Sequence, residues 1–270
     1  MPFAFTVFQG RAGDHNDLAI PGARAIGAEL ARRSGIQPVT IGAPKPCLNV
    51  GWREELDAAM PSLRQVQERL SQVFEGGRVS VAATSRCAVS LATLPQVAKY
   101  HPSACIVWFD AHGDLNTPDA TTTGYLGGLA LAGPAGLWDS GLGAGVSLDR
   151  IILVGQRDLD PFELDLIERH EIPHIKTTDV GAGLRDAIGG RPVYVHLDCD
   201  VLDPGIVPTD YAHEGGLSLM ELKACCRVIA ENAVVGLEIA EFQNSWTAGS
   251  EPVSPAPLLD ALSPILGKID

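Results

Sequence analysis

The sequence predicts an α/β protein built on a parallel sheet with helices over both faces. Three observations carry that expectation. Short apolar runs of strand character alternate with amphipathic stretches of helical period. The apolar runs are continuous rather than alternating, as in strands buried on both sides. And 270 residues at 46% hydrophobic content are enough for one large core.

The elements follow in order. Phe3–Phe8 is an apolar, aromatic strand, and Gly22–Arg33 fits a helix after a polar loop. Val39–Ile41 is a short β-branched strand, followed by a long amphipathic helix over Glu54–Phe74. Val79–Ala83 and Cys105–Asp110 are strands on either side of a helix over Ala88–Lys99. Gly-rich stretches, Gly124–Gly136 and Gly141–Gly145, read as loops. Arg150–Val154 is a strand, Pro161–His170 a helix with proline at its start, and His174–Lys176 a short strand. Leu184–Ile188 is helical and Val193–Asp198 is a strand. Ser218–Glu231 is a helix that Ser218 opens as N-cap, with Glu221 three residues on completing a capping box. Val234–Glu241 is the last strand and Pro255–Leu266 the last helix. No repeat or low-complexity linker interrupts the series, so residues 1–270 are expected to form one domain.

Composition narrows the functional classes. A net charge of −13 argues against nucleic acid or an anionic membrane as partner. No signal-peptide pattern and no membrane-length apolar run is visible. Six cysteines without framework spacing suit reduced thiols, so a cytoplasmic protein is expected.

Chemistry concentrates at two strand ends. Asp110-Ala-His112-Gly-Asp114 follows the run Cys105–Phe109, and Asp198-Cys-Asp200 follows Pro192–Leu197. Residues two apart on a strand share a face, so each cluster can converge on one point. Ligands of open parallel sheets bind beyond the carboxyl ends of the strands, where both clusters lie. So many converging carboxylates cannot stay ionised without cations. An oxygen-rich set with one imidazole suits manganese or a similar divalent ion. Carboxylates able to bridge suggest two ions about 3.5–4 Å apart, which generate a nucleophile at neutral pH.

Asp110-Ala-His-Gly-Asp-Leu-Asn-Thr-Pro118 and Asp198-Cys-Asp-Val-Leu-Asp-Pro204 resemble the signature motifs of the ureohydrolases, the arginase and agmatinase superfamily. The resemblance continues through Gly155-Gln-Arg-Asp-Leu-Asp-Pro161, Gly215-Gly-Leu-Ser218 and Gly236-Leu-Glu-Ile-Ala-Glu241. It implies a three-layer α/β/α fold with an eight-stranded parallel sheet. It also implies two Mn2+ per subunit, hydrolysis of a guanidino group, and possible homo-oligomers. Asp110 and Asp198 would bridge the ions, Asp114 would ligate the first ion and hydrogen-bond the nucleophile, and His112 and Asp200 would complete the second. The superfamily's remaining ligand is the histidine of a Gly-Gly-Asp-His-Ser motif. Here that segment reads Thr84-Ser-Arg-Cys-Ala88, which puts Cys87 in its place. A thiolate can ligate when a metal lowers its pKa, but it adds negative charge and should weaken the first ion as a Lewis acid. Cys87 as a small core residue is the alternative.

The resemblance also implies a substrate. Asn116 and Thr123 fall where arginases bind an α-carboxylate. Asp160 falls where the α-ammonium binds, with Glu163 reaching it through water. Agmatine has no α-carboxylate, so an arginine-like amino acid is expected. Glu241 matches the carboxylate facing the guanidinium end. Asp114 and Glu241 are therefore the candidate catalytic residues. The proton-relay histidine is replaced by Gly127 within Thr123-Gly-Tyr-Leu-Gly-Gly128. His196 is expected to point to the opposite face from Asp198 and so not to replace it. The pattern resembles the hydroxyarginine amidinohydrolases of D-cycloserine biosynthesis, which use a cysteine at this ligand position. The expected reaction is Nω-hydroxy-L-arginine to L-ornithine and hydroxyurea. An arginase, another guanidino-acid hydrolase, or a catalytically silent binding module are the alternatives.

Overall fold

The computed structural model describes residues 3–177 and 180–267. Eight strands form one sheet: β1 (Phe3–Phe8), β2 (Val39–Ile41), β3 (Val79–Ala83), β4 (Cys105–Phe109), β5 (Ile151–Val154), β6 (His174–Ile175), β7 (Val193–Asp198) and β8 (Val234–Ala240). Their order is β2-β1-β3-β8-β7-β4-β5-β6, and every pairing is parallel. The expected fold is borne out.

Helices α1 (Ala19–Ser34), α5 (Val180–Ile188), α6 (Leu219–Ile229), α7 (Ala256–Ala261) and α8 (Ser263–Leu266) cover one face. They pack on Val81, Val107, Val195, Leu237 and Ile239. Helices α2 (Trp52–Glu75), α3 (Ser90–Tyr100) and α4 (Pro161–Arg169) supply apolar residues to the opposite face, against Ile106, Trp108, Leu153 and Tyr194. Because strand side chains alternate, Tyr194 serves one layer while Val193 and Val195 serve the other.

Element bounds differ from the expectation mainly at ends. Pro255–Leu266 divides into α7 and α8, and Cys87–Val89 forms a 3-10 turn ahead of α3. The expected capping box at Ser218 and Glu221 is present, with Glu221 N–H donating to Ser218 Oγ at 3.2 Å. Register positions the site. Ala83, Ile239, Leu197, Phe109 and Val154 lie level across five adjacent strands. The chain therefore leaves β3, β8, β7 and β4 at one height. The residues that follow or end these strands (Cys87, Glu241, Asp198–Asp200 and Asp110–Asp114) gather at the middle of the carboxyl edge.

Candidate metal centre and active site

At that edge a cavity of about 160 Å3 opens. Cys87, His112, Asp114, Asn116, Thr123, Asp160, Glu163, Asp198, Asp200 and Glu241 all line it. Asp110 lies beneath, fully buried. The sequence-expected residues are thus brought to one place.

Among the described residues, four sets of ligand atoms each gather within 4.8 Å: Asp110 with His112 and Asp200, Cys87 with Asp198 and Glu241, Cys87 with Asp110 and His196, and, at the mouth, His112 with Asp158 and His213. His112 Nδ1 is 3.2 Å from Asp110 Oδ1 and 3.1 Å from Asp200 Oδ2. Backbone donors fix the carboxylates: His112 N donates to Asp110 Oδ1 at 2.7 Å, Asp200 N to Asp198 Oδ1 at 2.8 Å, and Ala111 N to Asp200 Oδ1 at 3.0 Å. Asp114 lines the cavity, and these four sets form without it. Asp114 and Glu241 both hold positive φ, 53° and 63°. Non-glycine residues rarely adopt that conformation, and it clusters at functional sites.

The electrostatics call for cations. Burial, then repulsion from neighbouring carboxylates, pushes the Asp110, Asp114 and Asp198 carboxyls above the usual range. Burial acts on Asp200 as well, but His112 beside it holds its pKa low. Burial disfavours the charged His112 ring, yet Asp110 and Asp200 outweigh it and raise its pKa. Burial, then Asp198 and Glu241, pushes the Cys87 thiol well up. Such a group of buried carboxylates with one imidazole and one thiol fits divalent ions, whose charge would favour the deprotonated form of every one of these groups.

Cys87 Sγ faces into this cluster, 2.9 Å from Asp198 Oδ2. It also lies 3.1 Å from His196 Nε2. The expectation for His196 is therefore corrected. His196 and Asp198 are two apart on β7, share a face, and both reach the sulfur. Sequence reasoning missed what stands behind. His196 Nδ1 is 2.8 Å from Glu238 Oε1, and its ring stacks on Trp108 at 3.5 Å. Ser90, Thr93 and Tyr194 hydroxyls donate to the same Glu238 at 2.5, 2.7 and 3.0 Å. Trp108, His196 and Glu238 are register partners across β4, β7 and β8. A glutamate inside the apolar run Val234–Ala240 was the available signal, since a buried charge needs partners.

At the outer end Asp160 is the N-cap of α4, and its N–H donates to Glu163 Oε2 at 3.0 Å. Glu163 Oε1 accepts from Leu115 N at 2.9 Å. Burial raises the Glu163 pKa to about 7. Asn116 donates from its amide nitrogen to Asp160 Oδ2 at 2.7 Å, and its buried Oδ1 has no partner among the described residues. One of the two N–H donors of Asn116 is thus engaged, and the other remains for a carboxylate. Thr123 is exposed on the rim, its Oγ1 accepting from Tyr125 N at 3.2 Å. At the mouth, His112 Nε2 and His213 Nε2 face Asp158 Oδ2 at 3.9 and 3.4 Å.

Tyr125 accounts for the glycine at 127. A Cβ on Gly127 would lie 2.4 Å from Tyr125 Cε1. The ring fills the volume a side chain there would take, and its hydroxyl is buried without a partner among the described residues.

Residues 13–251 match the arginase family. The chain belongs to that family. It is 37% identical over 259 residues to the N(omega)-hydroxy-L-arginine amidinohydrolase of Streptomyces lavendulae, covering 96% of this chain and 95% of that protein. Its fold superimposes on the arginase of Bacillus subtilis with a TM-score of 0.83 at 19% identity, over 99% of both chains. It superimposes on Entamoeba histolytica arginase in complex with L-ornithine with a TM-score of 0.85 at 20% identity, over 99% of this chain and 100% of that one. At those identities the arginase structures establish the fold; membership of the arginase family makes the chain a hydrolase.

Proposed function

We propose that this arginase-family hydrolase is a manganese amidinohydrolase that cleaves Nω-hydroxy-L-arginine to L-ornithine and hydroxyurea. The observation that carries this reading is Cys87. Its sulfur is set among the metal-facing carboxylates, 2.9 Å from Asp198, where the family pattern has histidine. The full-length similarity to an N(omega)-hydroxy-L-arginine amidinohydrolase supports the same substrate.

Cys87, Asp110, Asp114 and Asp198 would hold one ion, and Asp110, His112, Asp198 and Asp200 the other. When bound, the pair supplies Lewis acidity and lowers the pKa of a water to near neutrality. The residues of the chain do the rest. Asp114, held in its positive-φ conformation, presents a carboxylate as hydrogen-bond acceptor to the nucleophile. Glu241 faces the amidino head. Asp160 binds the α-ammonium, and Glu163 fixes Asp160 through its backbone amide. Asn116 and Thr123 border the same end. Water adds across the amidino carbon–nitrogen bond, and the nitrogen of ornithine leaves with a proton.

An N-hydroxylated guanidine is less basic than a guanidine, which suits a site without a relay histidine at 127. Its hydroxyl is itself a potential metal ligand, and a thiolate donated by Cys87 would lower the Lewis acidity that favours such a ligand over water.

All six cysteines are unbridged, which supports a reducing, cytoplasmic setting. Among the described residues no helix is long and apolar enough to cross a membrane. The test is product identification with the manganese-loaded enzyme. Ornithine and hydroxyurea in equal amounts from hydroxyarginine are expected. Absence of both would reject the reading.

A further inference from the structure

Arg86 is fully buried beside the cavity, at 0% exposure, and the chemistry above does not use it. Its Nη1 lies 2.7 Å from Glu241 Oε2 and 2.9 Å from Asp210 Oδ2, and its Nε 3.2 Å from Asp14 Oδ1. The other oxygen of Glu241 accepts the N–H of Cys87 at 3.1 Å. Both oxygens of the carboxylate proposed to face the substrate head are thus held by this chain, one of them by a guanidinium.

The three carboxylates around Arg86 are not equivalent. Asp210 reaches solvent, accepts from Asn16 and lies 3.6 Å from His15. Asp14 turns back to accept the N–H of Ala12 at 2.9 Å. Of the three, Glu241 lines the cavity. A substrate guanidinium arriving there would share that carboxylate with a guanidinium already in place, in a desolvated setting. Like charges brought together in such a site oppose binding. The unsatisfied atoms also point the other way. Among the described residues, Arg86 Nη2 and the Tyr125 hydroxyl are buried without partners. The first is a donor only and the second can donate. Tyr125 lines the cavity, so its hydroxyl suits a lone pair of an uncharged head.

We infer that Arg86 determines specificity: as an internal guanidinium paired with Glu241, it makes the site select an uncharged amidino-type head group over a guanidinium cation. The inference rests on the proposed placement of the substrate head at Glu241.

The test uses calorimetric titration of the manganese-loaded wild type with L-arginine and with L-citrulline, its uncharged isostere. Citrulline should bind at least as tightly as arginine; tighter binding of arginine would overturn the inference. In Arg86→Gln the ratio of affinities should move toward arginine by at least about tenfold, whereas Arg86→Lys should stay near wild type. A folded Arg86→Gln protein with an unchanged ratio would also overturn it. If Arg86→Gln does not fold, the wild-type comparison decides alone. The failures are separable. No ornithine from hydroxyarginine defeats the underlying reading, while intact turnover with arginine as the tighter ligand defeats only the role of Arg86.

Discussion

At the scale of single residues the account turns on two replacements, and the structure shows each accommodated by a neighbour. Cys87 is small, and His196 fills the space in front of it, 3.1 Å from the sulfur. Gly127 is bare, and Tyr125 fills the space above it. Cys87→Ser should lower manganese retained after dialysis, because a hydroxyl does not ionise as a thiol does; elemental analysis checks it, and unchanged metal content would make Cys87 a packing residue. Reversing either replacement alone should fail sterically. Gly127→His should lower the melting temperature by several degrees without raising arginine turnover, since overpacking costs about 1–3 kcal/mol. Removing the ring in the pair Gly127→His with Tyr125→Ala should restore the melting temperature. Thermal melts of both variants read this directly. A stable, unperturbed Gly127→His protein would contradict it.

At the scale of elements, function depends on where strands and helices end. Asp160 both caps α4 and faces the cavity, so its two duties need separating. Asp160→Ala should lose the cap, worth about 0.5–2 kcal/mol, and raise KM for an α-amino acid substrate. Asp160→Asn should keep the melting temperature and still raise KM. Neither should change KM for a guanidino acid lacking the α-ammonium. An equal loss on both substrates would make Asp160 structural only.

The strands were legible in the sequence because they are short, apolar and buried on both sides. Asp110–Asp114 and Asp198–Asp200 were legible because each follows such a strand. What was hidden came from juxtaposition across strands. Glu238 meets His196 only because β7 and β8 pair in that register. Arg86 meets Glu241 only because the ends of β3 and β8 are level. The orientation of His196 follows from the two-residue period: it shares a face with Asp198, and both reach the Cys87 sulfur. Arg157 is similar to Glu238: a motif residue in sequence, it donates from Nη2 to the carbonyls of Asp200 and His213, both at 2.8 Å, and so clamps the segment after β7.

At the scale of the whole molecule, the metal-facing carboxylates oppose folding until cations arrive. The carboxyls of Asp110, Asp114 and Asp198 are raised by burial above their unfolded values. Over that window the folded chain binds more protons than the unfolded chain, so metal-free stability falls as pH rises through it. Bound manganese removes the penalty. The gain in melting temperature on loading should therefore be small at acid pH and grow toward neutrality. Saturation at 100 times the dissociation constant is worth about 2.7 kcal/mol, a shift of several degrees. Melts with and without chelator across pH check this, and a gain independent of pH would contradict it. Substrate choice tests the whole account most directly. General-acid assistance is typically worth about 10²–10⁴ in rate, and this site has no relay histidine at 127 for a basic leaving group. The measurement is the ratio of kcat/KM for Nω-hydroxy-L-arginine to that for L-arginine, on one manganese-loaded preparation. The account predicts a ratio of about 10² or more in favour of hydroxyarginine; a ratio near one, or one favouring arginine, would contradict it.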